Sequence, residues 1–198
     1  MEKIFRIDMS SQTVREEPVS AEYAGMGGRA LTSLIVAAEV PPLCHPLGPE
    51  NKLALAPGLL SGTSAPCSGR LSAGAKSPLT GGIKESNAGG TAAQRLAKLG
   101  IAAVVVEGKA PAGSLWTLVI GKKKAELVPA KNLRKAGNYR AVDRLTKEFG
   151  DKASYITIGS AGELLLTAAS IAVTDLENRP TRHAGRGGLG AVMGSKGL

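Results

Sequence analysis

A chain of 198 residues, 43% hydrophobic and 21% charged, can fold around a core without staples, which excludes a disordered tail and a disulfide miniprotein. Its 25 Lys and Arg outnumber 16 Asp and Glu for a net charge of +9, which reads either as a solvated basic surface or as a match for nucleic acid or a phosphorylated ligand. Aromatic residues at 3%, with a longest basic run of only Lys122-Lys123-Lys124, fit a nucleic-acid surface poorly, because such surfaces stack bases on rings.

Lys3–Asp8 alternates apolar and charged residues and predicts a half-buried strand, with Val14–Pro18 pairing back after a Ser-Ser-Gln turn. Gly25-Met26-Gly27-Gly28-Arg29 leads into a predicted helix over Ala30–Val40, with Leu31, Leu34, Ile35 and Ala38 on one face and Pro41-Pro42 as the stop. Leu53–Ala56 and Arg70–Ala75 read as buried strands. A loop rich in Gly, Ser and Asn, from Ser77 to Gly90, feeds a helix over Thr91–Leu99 closed by Gly100. Ala102–Glu107 is a β-branched strand, and Leu115–Ile120 with Ala125–Val128 predicts a hairpin turning at the lysine run. Tyr139–Phe149 has helical period, with Ala141, Val142, Leu145 and Phe149 along one stripe. Tyr155–Ile158 and Leu164–Ala172 read as strands, and a second glycine-rich loop follows. Strands and helices mix without strict alternation, so the expected class is α+β. The segment from Leu53 to the helix after Gly90 is echoed by the segment from Tyr155 to the helix after Gly188, which points to two similar halves.

No stretch approaches the roughly 18 apolar residues of a membrane span, and no apolar leader opens the chain. A cytoplasmic protein without membrane contact is therefore expected. Cys44 and Cys67, with no CxxC, cannot alone hold zinc or an iron–sulfur cluster, and in that setting they are expected reduced.

The chemistry gathers in the two glycine-rich loops. Ser86-Asn87-Ala88-Gly89-Gly90 offers backbone N–H groups to an anion; a tight turn is the competing reading. Arg182-His183-Ala184-Gly185-Arg186-Gly187-Gly188 adds two guanidinium groups, whose forks match phosphate oxygens, against the alternative of a solvated face. Gly185-Arg186-Gly187-Gly188-Leu189-Gly190 fits G-x-G-x-x-G but follows no strand and precedes no ribose-binding carboxylate, so a dinucleotide site fails its context. Gly194-Ser195-Lys196 is not a P-loop, and neither HExxH nor Gly-x-Ser-x-Gly occurs. No catalytic acid, base or nucleophile is identified. The two bends flanking Asn87 and Gly185 are expected to face a common cavity.

Phrases such as Pro46-Leu47-Gly48-Pro49-Glu50-Asn51-Lys52-Leu53, Ala65-Pro66-Cys67-Ser68-Gly69-Arg70, Lys76-Ser77-Pro78-Leu79-Thr80-Gly81-Gly82, Ser86-Asn87-Ala88-Gly89-Gly90 and Ala184–Lys196 recur, in this order, in one family. The chain resembles the N-terminal domain of the tungsten-containing aldehyde ferredoxin oxidoreductases over nearly its whole length, residues 1–198. The resemblance implies an α+β fold of two similar intertwined subdomains, with mixed and antiparallel sheets and a few helices. It implies a seat for tungstopterin (or molybdopterin), with Mg2+ bridging the pterin phosphates. Carried over, Arg70, Asn87, Gly89, Gly90, Arg182, His183, Gly185 and Arg186 are the cofactor contacts, and Asn87 and His183 give the magnesium its backbone carbonyls. His183 stands where the family usually has a small residue.

The implied activity is that of an oxidoreductase converting aldehydes to carboxylates with ferredoxin as electron acceptor. The 4Fe-4S cluster and its cysteines belong to later domains absent here, so the isolated chain is expected to be inactive. Its expected partners are those remaining domains or a partner subunit, and exposed apolar surface makes a homodimer the expected self-association. The alternative is a short paralogue that binds a pterin or phosphate ligand without catalysis. A third reading, nonspecific nucleic-acid binding, rests on the net charge alone.

Overall fold

The computed structural model describes residues 2–198. Eleven strands and five α-helices form three sheets. The largest has six strands in the order β2 (Thr13–Pro18), β1 (Lys3–Asp8), β6 (Ile101–Glu107), β3 (Leu53–Pro57), β4 (Leu71–Lys76), β5 (Ile83–Ala88). Only β1 and β6 run parallel; every other pair is antiparallel. The second sheet orders β11 (Arg182–Ala184), β10 (Ile171–Val173) and β9 (Ile156–Ile158), and β7 (Trp116–Ile120) pairs with β8 (Ala125–Pro129). The class is α+β, as the sequence predicts.

Strand alternation explains how the main sheet is covered on both faces. Towards helix α1 (Gly28–Glu39) it presents Ile4, Ala54, Ala56, Ala103 and Val105, mostly small. Gly74 completes that face: a Cβ there would lie 2.7 Å from Thr32 Cβ, so the helix packs directly onto backbone. The opposite face carries Phe5, Ile7, Leu53, Leu55, Leu71, Val104 and Val106, the larger core, which meets Ile171, Val173, Leu189 and Val192 from the second half of the chain. Helix α1 begins two residues before its predicted start, and its buried stripe is Leu31, Thr32, Ile35 and Val36; the predicted face member Ala38 is exposed.

The echo between halves is topological. β3–β4–β5 is an antiparallel meander followed by Gly89-Gly90 and helix α2 (Ala92–Lys98). β9–β10–β11 is a second antiparallel meander, followed by Gly187-Gly188 and helix α5 (Leu189–Ser195).

Three segments differ from expectation. Part of the first glycine-rich loop is β5, and the start of the second is β11, so Gly185–Gly190 does follow a strand; that strand pairs antiparallel and is not the parallel strand of a dinucleotide-binding unit. The apolar run Leu164–Ala172 is not one strand: helix α4 (Ser160–Glu163) precedes it, Leu165 turns at φ +58°, and Leu164 and Leu166 face solvent. Only Ile171–Val173 pairs. Helix α3 (Gly137–Phe149) buries Ala141, Val142 and Leu145 as predicted, packing on Tyr155, while Phe149 stays at the surface. Both cysteines are free thiols, Cys44 buried and Cys67 exposed. Among the described residues no helix is long and apolar enough to cross a membrane.

Candidate functional site

β5 and β11 are the outer strands of their sheets, and they approach each other without pairing. Side-chain-to-backbone bonds close the seam between them. The Arg186 N–H donates to Ser86 Oγ at 3.1 Å, and Ser77 Oγ donates to the Gly187 carbonyl at 2.6 Å. The Thr91 N–H donates to the Thr174 carbonyl at 3.0 Å, while Thr91 Oγ1 and Ser154 Oγ are 2.6 Å apart. The two glycine-rich bends are therefore neighbours. They meet at an exposed seam: Asn87, Arg182, His183, Gly185 and Arg186 are all exposed, and none of the eight candidate residues lines the cavity beside Trp116 or the one beside Tyr139. Ser77, Ser86, Thr91 and Thr174, which build the seam, were not picked out by sequence. Ser77 and Ser86 lie inside recurrent phrases, but nothing in the letters says that they reach across.

The glycines divide by what surrounds them. Gly90 has φ +97°, and a Cβ there would lie 2.5 Å from the Thr174 carbonyl oxygen. Gly188 has φ +69°, and its Cβ would lie 2.1 Å from the Thr167 oxygen. Backbone conformation and close packing explain both. Gly89 and Gly185 are different. Neither has positive φ, a Cβ at Gly185 would meet nothing within 4 Å, and one at Gly89 would meet only Arg182 Cδ at 4.0 Å. The protein's own packing does not demand glycine at these two places, so the missing side chains leave open space on the outside.

Cations surround that space. In sheet register Leu71 faces Ala88, which puts Arg70 beside the start of the first bend. Arg70, Arg182 and Arg186 are exposed, and among the described residues none has a carboxylate within ion-pair distance; the paired cations are elsewhere. His183 lies on β11 opposite Ala172, its Nδ1 3.0 Å from Ser170 Oγ. Among the described residues no three His, Cys, Asp or Glu side chains converge on a metal position. One acceptor is left over: Glu85, which shares a β5 face with Asn87, accepts from Arg29 Nε at 3.0 Å through Oε2, but its Oε1 is buried without a partner. Open glycines and unpaired guanidinium groups suit a large anionic ligand, while Glu85 lies on the opposite face of β5, towards α1.

The chain is tied down around this seam. Asp175, just past β10, accepts from the Arg179 N–H at 3.0 Å, and from Thr181 Oγ1 at 2.9 Å and the Glu177 N–H at 3.0 Å. These bonds, led by the Arg179 amide, hold its carboxyl at about 2. Lys196, fully buried after α5, donates to the carbonyls of Gly48 at 3.0 Å, Pro49 at 3.3 Å and Asn51. Burial pushes its ammonium down to about 8.

A mixed-sheet α+β domain whose two meanders join at a cationic, glycine-lined seam presents a surface suited to an anionic ligand. Residues 4–198 match the family described as aldehyde ferredoxin oxidoreductase, N-terminal domain. The chain belongs to the aldehyde ferredoxin oxidoreductase family. It is 39% identical to the tungsten-containing aldehyde ferredoxin oxidoreductase of Pyrococcus furiosus, covering 99% of this chain and 32% of that protein. The Pyrococcus horikoshii protein of the same name gives 39% with the same coverage. Among solved structures, the active site complex BamBC of benzoyl coenzyme A reductase with 1,5-dienoyl-CoA superposes with a TM-score of 0.91 at 31% identity, covering all of this chain and 29% of that one. The chain thus spans about a third of the length of the curated relatives it matches.

Proposed function

We propose that this chain is the pterin-seat domain of a tungsten (or molybdenum) oxidoreductase that converts aldehydes to carboxylates and passes electrons to ferredoxin. The observation that carries the reading is the pair of open glycines, Gly89 and Gly185, facing outward at one seam beside Arg70, Arg182 and Arg186, which have no carboxylate partners. The guanidinium groups of Arg182 and Arg186 bind and orient the pterin phosphates, and Arg70 lies beside the first bend, level with Gly89 in the sheet register. The main-chain carbonyls of Asn87 and His183 hold the bridging Mg2+, a hard cation that takes oxygen ligands. The bound metal and pterin supply the redox chemistry, and this chain supplies position and charge. The substrate pocket and the 4Fe-4S cluster lie in the rest of the protein, consistent with coverage of 32% of the relatives. Aldehyde oxidation is favoured over the acyl-CoA chemistry named for the solved complex by identity, 39% against 31%. Free thiols at Cys44 and Cys67 suit a cytoplasmic enzyme.

The test is cofactor content after gentle purification from cells supplied with tungstate, read as pterin fluorescence after oxidation and as metal by mass spectrometry. The chain co-expressed with the remaining domains should carry pterin. Arg182→Ala with Arg186→Ala should lower occupancy by about tenfold or more, as loss of two charge-assisted hydrogen bonds implies. Full occupancy in the double variant would refute the seat. A second reading is a pterin- or phosphate-binding module without catalysis, favoured by the lack of any converging metal-ligand side chains among the described residues. It requires the 198-residue chain alone to retain pterin.

A further inference from the structure

We propose that the chain carries a second ligand site, separate from the seam, which takes an amphipathic carboxylate of medium-chain length. Between α2, the β7–β8 hairpin and α3 lies a cavity of about 520 Å³, within the range of small-molecule sites. Leu96, Leu118 and Leu145 are among its mainly apolar walls, and it shares no residue with the eight cofactor-seat positions.

Two features select the occupant. Trp116 lines the cavity, and its indole N–H is buried with no hydrogen-bond partner. That N–H is closed off from the cavity, so the ring contributes apolar wall and no polar contact. The mouth is cationic. Arg95, Lys98, Lys122 and Lys152 all line the cavity with exposed side chains. Among the described residues none of the four is ion-paired. Against them stand Glu163, the one acidic side chain in the lining, which accepts from the Lys135 N–H at 3.0 and 2.8 Å, and the terminal carboxylate of Leu198, so cations outnumber anions there four to two. An alkyl body fills the apolar interior, and a carboxylate provides the charge that the mouth attracts.

Trp116 is the single tryptophan of the chain, so it reports on its own cavity. Dodecanoate titrated into the 198-residue protein should change Trp116 fluorescence saturably, with one equivalent bound by calorimetry. Dodecanol, equal in length but uncharged, should bind at least about tenfold more weakly. Lys98→Glu with Lys122→Glu, both at exposed positions, should raise the dodecanoate Kd by about tenfold while circular dichroism stays unchanged. No saturable change up to the solubility limit of dodecanoate overturns the proposal. So does binding indifferent to the headgroup or to the charge reversal. Because no cofactor-seat residue takes part, failure here leaves the pterin reading untouched.

Discussion

Gly90 and Gly188 stand where a methyl group would run into a carbonyl oxygen, whereas Gly185 stands where a methyl group would meet nothing. The two kinds of position should respond oppositely to the same substitution. Gly90→Ala forces a side chain onto positive φ and against Thr174, and should destabilise the fold by about 2–4 kcal/mol in urea titrations. Gly185→Ala should leave the urea midpoint within about 0.5 kcal/mol of the parent but lower pterin occupancy. From the letters alone these glycines are indistinguishable, because the difference lies in what approaches from residues distant in the chain, Thr174 for Gly90 and Thr167 for Gly188.

Lys196 was equally illegible: its sequence neighbours exclude a P-loop but do not announce a buried ammonium clasping three carbonyls. Lys196→Met would strand those acceptors and should cost about 2–4 kcal/mol. In the parent, the folded state holds this proton less tightly than the unfolded chain does. That penalty is complete below about 8 and is relieved as pH rises towards 10.5, so Lys196 contributes a rise in stability across that interval, measurable as the difference in pH dependence between parent and variant.

At the scale of elements, helix α1 is bound to the main sheet by a partly buried charge cluster. Glu39 accepts from Arg6 at 2.6 and 2.8 Å, from Tyr23 Oη at 2.7 Å and from Lys52 at 2.8 Å, and Lys52 also pairs with Glu107 at 2.7 Å. Burial alone would raise the Glu39 carboxyl, but these donors bring it down to about 2. Glu39 and Asp175 therefore favour the fold fully above their unfolded values, 4.5 and 3.8, and lose that contribution as pH falls through about 2. Urea midpoints should decline across that window, and the decline should shrink in Glu39→Gln. Removing the carboxylate in Glu39→Ala leaves Arg6 and Lys52 without it and should cost about 2–3 kcal/mol, the lower side of a buried-pair loss because the cluster is still partly wet.

Elements with strong periodicity were legible: β1, β6, the hairpin and α3 lie within a residue or two of where alternation and helical spacing put them. β5, β11 and α4 were not. β5 is an outer strand with polar residues on its open face, and β11 and α4 are too short, at three and four residues, for a period to form. Leu164–Leu166 misled in the other direction, an apolar run lying on the surface. The cavity beside Trp116 had no signal at all, since its walls are ordinary core residues drawn from several elements.

Across the whole molecule, large apolar side chains remain exposed: Leu43 at 97%, Leu176 at 92%, Leu164 at 69% and Leu60 at 61%. The chain matches about a third of its relatives' length, and exposed apolar surface of this kind favours association. The 198-residue chain should self-associate, with a dimer as the first species in light scattering as concentration rises. On the proposed reading, co-expression with the segment of a relative outside the matched third should abolish this, and a monomer at every concentration would count against it. The class and the two-part organisation were readable because they rest on repeated local patterns. Their meeting at β5 and β11 was not, because contact between distant segments leaves no local trace.

The bonds that close the seam join positions 100 and 110 residues apart, Ser86 to Arg186 and Ser77 to Gly187. Contacts of such long range are the late, slow events of folding. On the proposed reading, a ligand gripping both sides would recognise only finished molecules and act as a rivet set after assembly, adding its binding energy to the docking of the two meanders. Half-folded precursors would offer it no purchase, so loading would double as an inspection of the product.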